Sequence, residues 1–142
     1  MGFKVVENMD LIDNSDLVKN AEEGAIEKAL EEIGITLEAY AKLIATQKHI
    51  VDTGRLRNSI THATKGDAGQ ANYSDNHGKT YSDGSAQGTP EAKTVYVGTN
   101  VEYAPYIEYG TTKQVARPFL HPAVTEHVDE YKDMFKKSLE NA

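Results

Sequence analysis

SDLVKNAEEGAIEKALEEIGITLEAYAKLIATQ, residues Ser15 to Gln47, carries Ile26, Leu30, Ile33, Leu37, Tyr40 and Ile44 at steps of four and three. Such steps return a side chain to the same side of a helix, so these residues make one apolar stripe. Asn14 or Ser15 offers a capping side chain, and Glu22, Glu23 and Glu27 lie toward the end where the helix dipole favours anions. Gly24 and Gly34 stand inside the pattern, each costing about 1 kcal/mol relative to Ala. One long helix is expected, with two helices joined near Glu32 to Ile35 as the alternative. The spacing also suits a coiled coil, but only about three heptads are present and Tyr40 is a poor seam residue. Packing on a sheet is the expected use.

Working outward, Val51-Asp52-Thr53-Gly54 ends the stripe and leads into Arg55-Leu56-Arg57-Asn58-Ser59-Ile60, read as a short helix turning into a strand. From Lys65 to Lys93 the chain is rich in Gly, Ser, Asn, Asp and Thr and poor in aliphatic residues. It reads as a long loop or exposed hairpin unable to bury a core face: a mobile surface insertion, with two short strands at Tyr73 and Tyr81 as the alternative. Thr94-Val95-Tyr96-Val97-Gly98-Thr99 is the clearest strand, β-branched and aromatic, ended by Gly98 and expected to lie centrally. Tyr103, Tyr106, Ile107 and Tyr109 are spaced for a short helix with Pro105 in its first turn and Gly110 as its stop. Pro118 and Pro122 frame an extended or tightly turned segment holding Phe119 and Leu120. Val124, Val128, Tyr131 and Phe135 then mark a terminal helix.

The length of 142 residues suits one domain, residues 1–142, with the polar stretch 65–93 as an insertion. The absence of cysteine removes disulfides, thiol nucleophiles and thiolate metal sites. No apolar run is long enough for a membrane span, and the start MGFKVVENMD has no signal-like core, so no membrane partner is expected. A formal charge of −7 argues against general nucleic-acid affinity, which comes from cations displacing counterions. No phosphate-binding glycine loop, nucleophile elbow or zinc-protease helix occurs, and no cofactor is expected. His121 and His127, six apart, diverge by about 240° on a helix and do not share a ligand face. Glu102 and Glu108 are the only carboxylates flanking a tyrosine-rich turn that invite a glycan-hydrolase reading, and at the same separation they too diverge. Glu108 is expected to pair with Arg55 or Arg57 instead, in a partly buried ion pair.

Three segments together resemble a known family. They are Val51 to Ile60 with Asp52, Thr53, Gly54, Arg55, Leu56 and Arg57; Val95 to Thr99 leading into Tyr103, Tyr106, Glu108, Tyr109 and Gly110; and Arg117-Pro118-Phe119-Leu120. In this order, behind an amphipathic helix and before a terminal one, the chain resembles the minor tail components of long-tailed bacteriophages, called head-tail joining, neck or tail-completion proteins. The resemblance implies an α+β fold, with a long N-terminal helix and a C-terminal helix packed on a small antiparallel sheet, and the quoted residues as its structural or interface motif. It also implies a virion neck or tail protein, assembled in the bacterial host cytoplasm, and not an enzyme. The implied partners are further copies of the chain in a homo-oligomeric ring and the adjacent neck and tail proteins, with DNA passing through the lumen without specific binding. A transient assembly factor absent from virions, a glycan hydrolase and a DNA-binding module using Arg55, Arg57 and Lys65 are the competing readings. Acidic residues dense from Glu22 to Glu38 are expected to keep the lumen negative or neutral. Leu56, Ile60, Val95, Val97, Ile107, Phe119 and Leu120 are expected to share one core with Leu30, Ile33, Leu37 and Ile44.

Overall fold

An apolar helical stripe needs a surface to cover it, and the computed structural model shows which one. Residues 5–10, 21–48, 54–84 and 93–141 are described. In chain order they form β1 (Val5–Asp10), α1 (Glu23–Gln47), α2 (Arg55–Ser59), β2 (Thr61–Ala63), β3 (Tyr73–Ser74) and β4 (Thr80–Tyr81). β5 (Thr94–Thr99), α3 (Ala104–Tyr109), α4 (Leu120–Thr125) and α5 (Val128–Glu140) follow. The fold is α+β, as expected.

Helix α1 runs unbroken for 25 residues, so Gly34 does not divide it. A Cβ at Gly34 would stand 2.6 Å from Cδ2 of His62, and the missing side chain therefore admits an imidazole onto the helix backbone. Asn14 and Ser15, the expected caps, lie outside the described residues. The carbonyl of Glu22 accepts the N–H groups of Ala25 and Ile26, both at 3.1 Å.

The main sheet is antiparallel in the order β1-β5-β2. β5 is the central strand, as its composition predicts, and extends one residue past Gly98. Strand β1 was not anticipated; it pairs Val5 with Thr99 and Asp10 with Thr94. On β5 the alternating Val95, Val97 and Thr99 are all inaccessible. α1 packs across β5 and β2 and also against α4 and α5. All eleven expected core residues are buried, joined by Val101, Ala123, Tyr131, Phe135 and Leu139.

Two connections differ from expectation. The segment between Pro118 and Pro122 is not extended throughout: α4 starts at Leu120 and holds Pro122 in its first turn, where a missing N–H breaks no helical bond. The terminal helical pattern is bent at Glu126 and His127, so Val124 belongs to α4 and α5 begins at Val128. The Tyr131 hydroxyl donates to the Ala123 carbonyl at 2.5 Å and fastens the bend. Tyr40 stacks on His127 at 3.7 Å and donates to Glu130 at 2.6 Å, which explains a tyrosine in the α1 stripe. The polar stretch does contain a small hairpin, Tyr73 facing Tyr81. It also contributes to the core, because Tyr73 is only 5% exposed.

Phe119 is fully buried among these elements. Phe119→Ala should therefore lower unfolding free energy by about 3–5 kcal/mol in denaturant titrations; a loss below about 1 kcal/mol would show an unfilled or exposed site instead.

Candidate assembly surface

Arg55 opens α2 and gathers the hairpin and the turn before α3 around one guanidinium. It donates to Asp83 at 2.8 Å and to both oxygens of Glu102 at 3.1 Å, and its Nε lies 3.4 Å from the Tyr73 hydroxyl. Its planar face sits 4.5 Å from the Tyr81 ring and 5.7 Å from that of Tyr103. Tyr73 and Tyr81 stack at 5.2 Å, and the Tyr73 hydroxyl donates to Asp83 at 2.6 Å. Burial opposes the charge on Arg55, but the bonds to Tyr73, Glu102 and Asp83 outweigh it and hold the guanidinium above its ordinary pKa. Only arginine combines a bidentate fork with a face that stacks.

The rest of the motif continues this docking. Gly54 has φ of 84°, and a Cβ there would stand 2.3 Å from the Asn76 amide oxygen, so both backbone and space demand glycine. Arg57 donates to Asn76 at 3.3 Å, and Asn58 to the Ser74 carbonyl at 2.8 Å. Leu56 is buried. The stretch 65–84 is thus bound to the motif, not appended to it. Beneath, the Ser59 and Thr99 hydroxyls meet at 2.6 Å. Ser59 donates to the Leu56 carbonyl, and Thr99 accepts the Val101 N–H, so the remaining hydroxyl proton runs from Thr99 to Ser59 and satisfies the buried pair. Asp52 and Thr53 lie outside the described residues.

The expected pair between Glu108 and Arg55 or Arg57 does not form. Glu108 is 3% exposed and accepts the backbone N–H groups of Phe119, Leu120 and His121 at 3.1, 2.8 and 3.4 Å. These are donors at the start of α4 that no residue of α4 itself satisfies, so a carboxylate from α3 caps the helix across space. The Arg117 N–H donates to the Ile107 carbonyl, and the Pro118 carbonyl accepts Lys48 Nζ at 2.7 Å. Gly110, at φ of 78°, closes α3 where a Cβ would meet Ala116 and Gln114. Glu102 and Glu108 are therefore committed to different partners, and no convergent carboxylate pair is built from them. Glu108→Leu would strand two buried donors and a third, part-buried one and should cost about 2 kcal/mol or more in unfolding free energy, each unmet buried donor costing about 1–3 kcal/mol; unchanged melting would show that water replaces the carboxylate.

The acidic residues of α1 are largely turned to the protein itself. Glu23 pairs with Lys65, Glu27 accepts the Lys93 N–H at 2.9 Å, and Glu31 and Glu38 hold His62 at 2.6 and 3.1 Å. This row was not foreseen as a His62 clamp; the signal was a Glu-Gly-Glu line at positions 31, 34 and 38 on one helix face. Burial works against a charged His62, yet Glu38 and Glu31 raise its pKa from 6.5 to about 9. The raised value means that the imidazolium stabilises the fold fully below about pH 6.5 and that this contribution fades as pH rises through about 9. Melting curves of the wild type and His62→Gln should therefore differ most at acid and neutral pH and converge above pH 9; a constant difference would refute the clamp.

Tyr106 and Tyr109, on α3, are 47% and 66% exposed, and Tyr103 is half-buried beneath Arg55. The described motif residues thus gather at two joints, one around Arg55 and one around Glu108, with exposed tyrosines beside them. Asp83, Asn76, Tyr73 and Tyr81 complete the first joint and were hidden in a stretch whose composition announces only polarity. His121 lies in α4 and His127 at the α4–α5 bend, and neither belongs to a group of three possible metal ligands among the described residues. No helix among the described residues is long and apolar enough to cross a membrane.

No curated protein and no solved structure matches the chain. The model of one family, described as "Bacteriophage HK97-gp10, putative tail-component", matches residues 11–110 and so includes α1, the Arg55 joint, β5 and α3 through Gly110. With more than half of its length matched, the chain belongs to the HK97-gp10-like family of bacteriophage tail components, a structural class.

Proposed function

We propose that the protein completes the junction of phage head and tail, with residues 1–142 acting as one joining domain and identical copies closing into a ring around the DNA path. Beyond the family, one observation supports this reading: the chain presents two unlike sets of exposed apolar side chains. On α1, Ile35 and Leu43 are 57% and 50% exposed and flank exposed Ala39 at steps of four. On α3 and the loop beyond it, Tyr106, Tyr109 and Val115 form the second set. Contact through unlike patches generates a closed ring when the rotation between neighbours closes, and tyrosines suit such contacts because they bury area while keeping a polar tip. The Arg55 and Glu108 joints hold the second set in place. A net charge of −7 suits a channel through which phosphates pass without being held.

Two single variants, Leu43→Glu and Tyr109→Glu, test the arrangement. Each should be monomeric in size-exclusion chromatography with light scattering, while the wild type forms a larger closed species. Mixed together, they should stop at a dimer, because each retains the patch that the other lacks. A wild-type chain that is monomeric both alone and within purified particles would overturn the ring, and its absence from particles by mass spectrometry would make it a transient assembly factor.

A further inference from the structure

Glu31 of α1, His62 of β2 and Asp67 of the turn after β2 each offer one donor atom, and the three atoms lie within 4.8 Å of one another. Each of the three is oriented from behind. His62 turns Nε2 to Glu31 Oε1 while Nδ1 is engaged by Glu38 at 3.1 Å, and the ring lies on the bare backbone at Gly34. The second oxygen of Glu31 accepts the Thr64 hydroxyl at 3.1 Å. One oxygen of Asp67 accepts the Gly69 N–H at 2.9 Å, and paired backbone hydrogen bonds between Thr64 and Asp67 fix the turn. Metal-ligating histidines typically pass their other ring nitrogen to a carboxylate in this way, and ligating carboxylates are themselves hydrogen-bonded. The charges point in the same direction. Lys42 partly balances Glu38 at 3.1 Å, and Lys65 is engaged with Glu23, so one imidazolium faces the two further carboxylates of Glu31 and Asp67.

We propose that Glu31, His62 and Asp67 bind one divalent ion of the zinc class, tying α1 to β2 and its turn. One nitrogen and two oxygen donors suit zinc, with a water in the fourth position. Two ligands on tetrahedral zinc stand about 3.3 Å apart, so the ion takes the place of the proton between Nε2 and Glu31 and parts them by less than about 1 Å. Magnesium prefers all-oxygen octahedral surroundings and is excluded by the imidazole. The inference does not depend on ring formation.

Zinc chloride titrated calorimetrically into the full chain should bind at one ion per chain and raise the melting temperature, while magnesium chloride does neither. Asp67→Asn lies on an exposed turn, so it should weaken zinc binding about tenfold or more while the metal-free variant melts as the wild type does. Glu38→Gln, which contacts His62 from behind, should weaken it about 10–100-fold. No zinc binding at millimolar concentration, or equal binding by the wild type, Asp67→Asn and His62→Gln, overturns the site.

Discussion

Burying the apolar stripe of α1 lays a 25-residue helix against β5 and β2 of the three-stranded sheet, β2 being only three residues long. Such a helix is about 37 Å long, whereas neighbouring strands lie about 5 Å apart and a six-residue strand extends about 20 Å. The sheet can therefore cover only part of the stripe. α4 and α5 supply the remaining cover, and Tyr40 records the change of partner by stacking on His127 at the head of α5. The need to bring these C-terminal helices back onto α1 gives the Phe119–Leu120 segment its buried position.

Polar side chains then fix where each connection crosses the core. Glu108 is buried at no great penalty because three backbone donors receive it. The Ser59–Thr99 pair does the same on a smaller scale, each hydroxyl accounting for another group's unmet bond. Arg55 differs in standing at the rim, where its stem and face pack on rings while its fork reaches two carboxylates. Loops that composition alone would leave to solvent acquire fixed positions this way.

Much of this was legible in the sequence. Period and chemistry identified α1, β5 and every residue expected in the core, because apolar spacing reports burial directly. Strand β1 escaped, since Val5 and Val6 are followed by Glu7, Asn8 and Asp10 and its pairing partner lies some ninety residues away. Charge reasoning misassigned Glu108, because opposite charges are visible in a sequence and orphaned backbone donors are not. The hairpin was under-read for a related reason: Tyr73 is buried by an arginine and a second tyrosine, and no aliphatic pattern surrounds it. Which side chain touches which depends on distant chain crossings that the order of residues does not display.

The strand order β1-β5-β2 also bears on how the chain comes into being. The middle strand is the last of the three to be synthesised, so both edges wait unpaired on the ribosome until residues 94–99 emerge. Local hydrogen bonds let α1 form early, whereas its apolar side has no sheet to rest on until then. The nascent chain thus carries α1 without its sheet while residues 48–99 are added, and the cover is completed only when α4 and α5 follow β5.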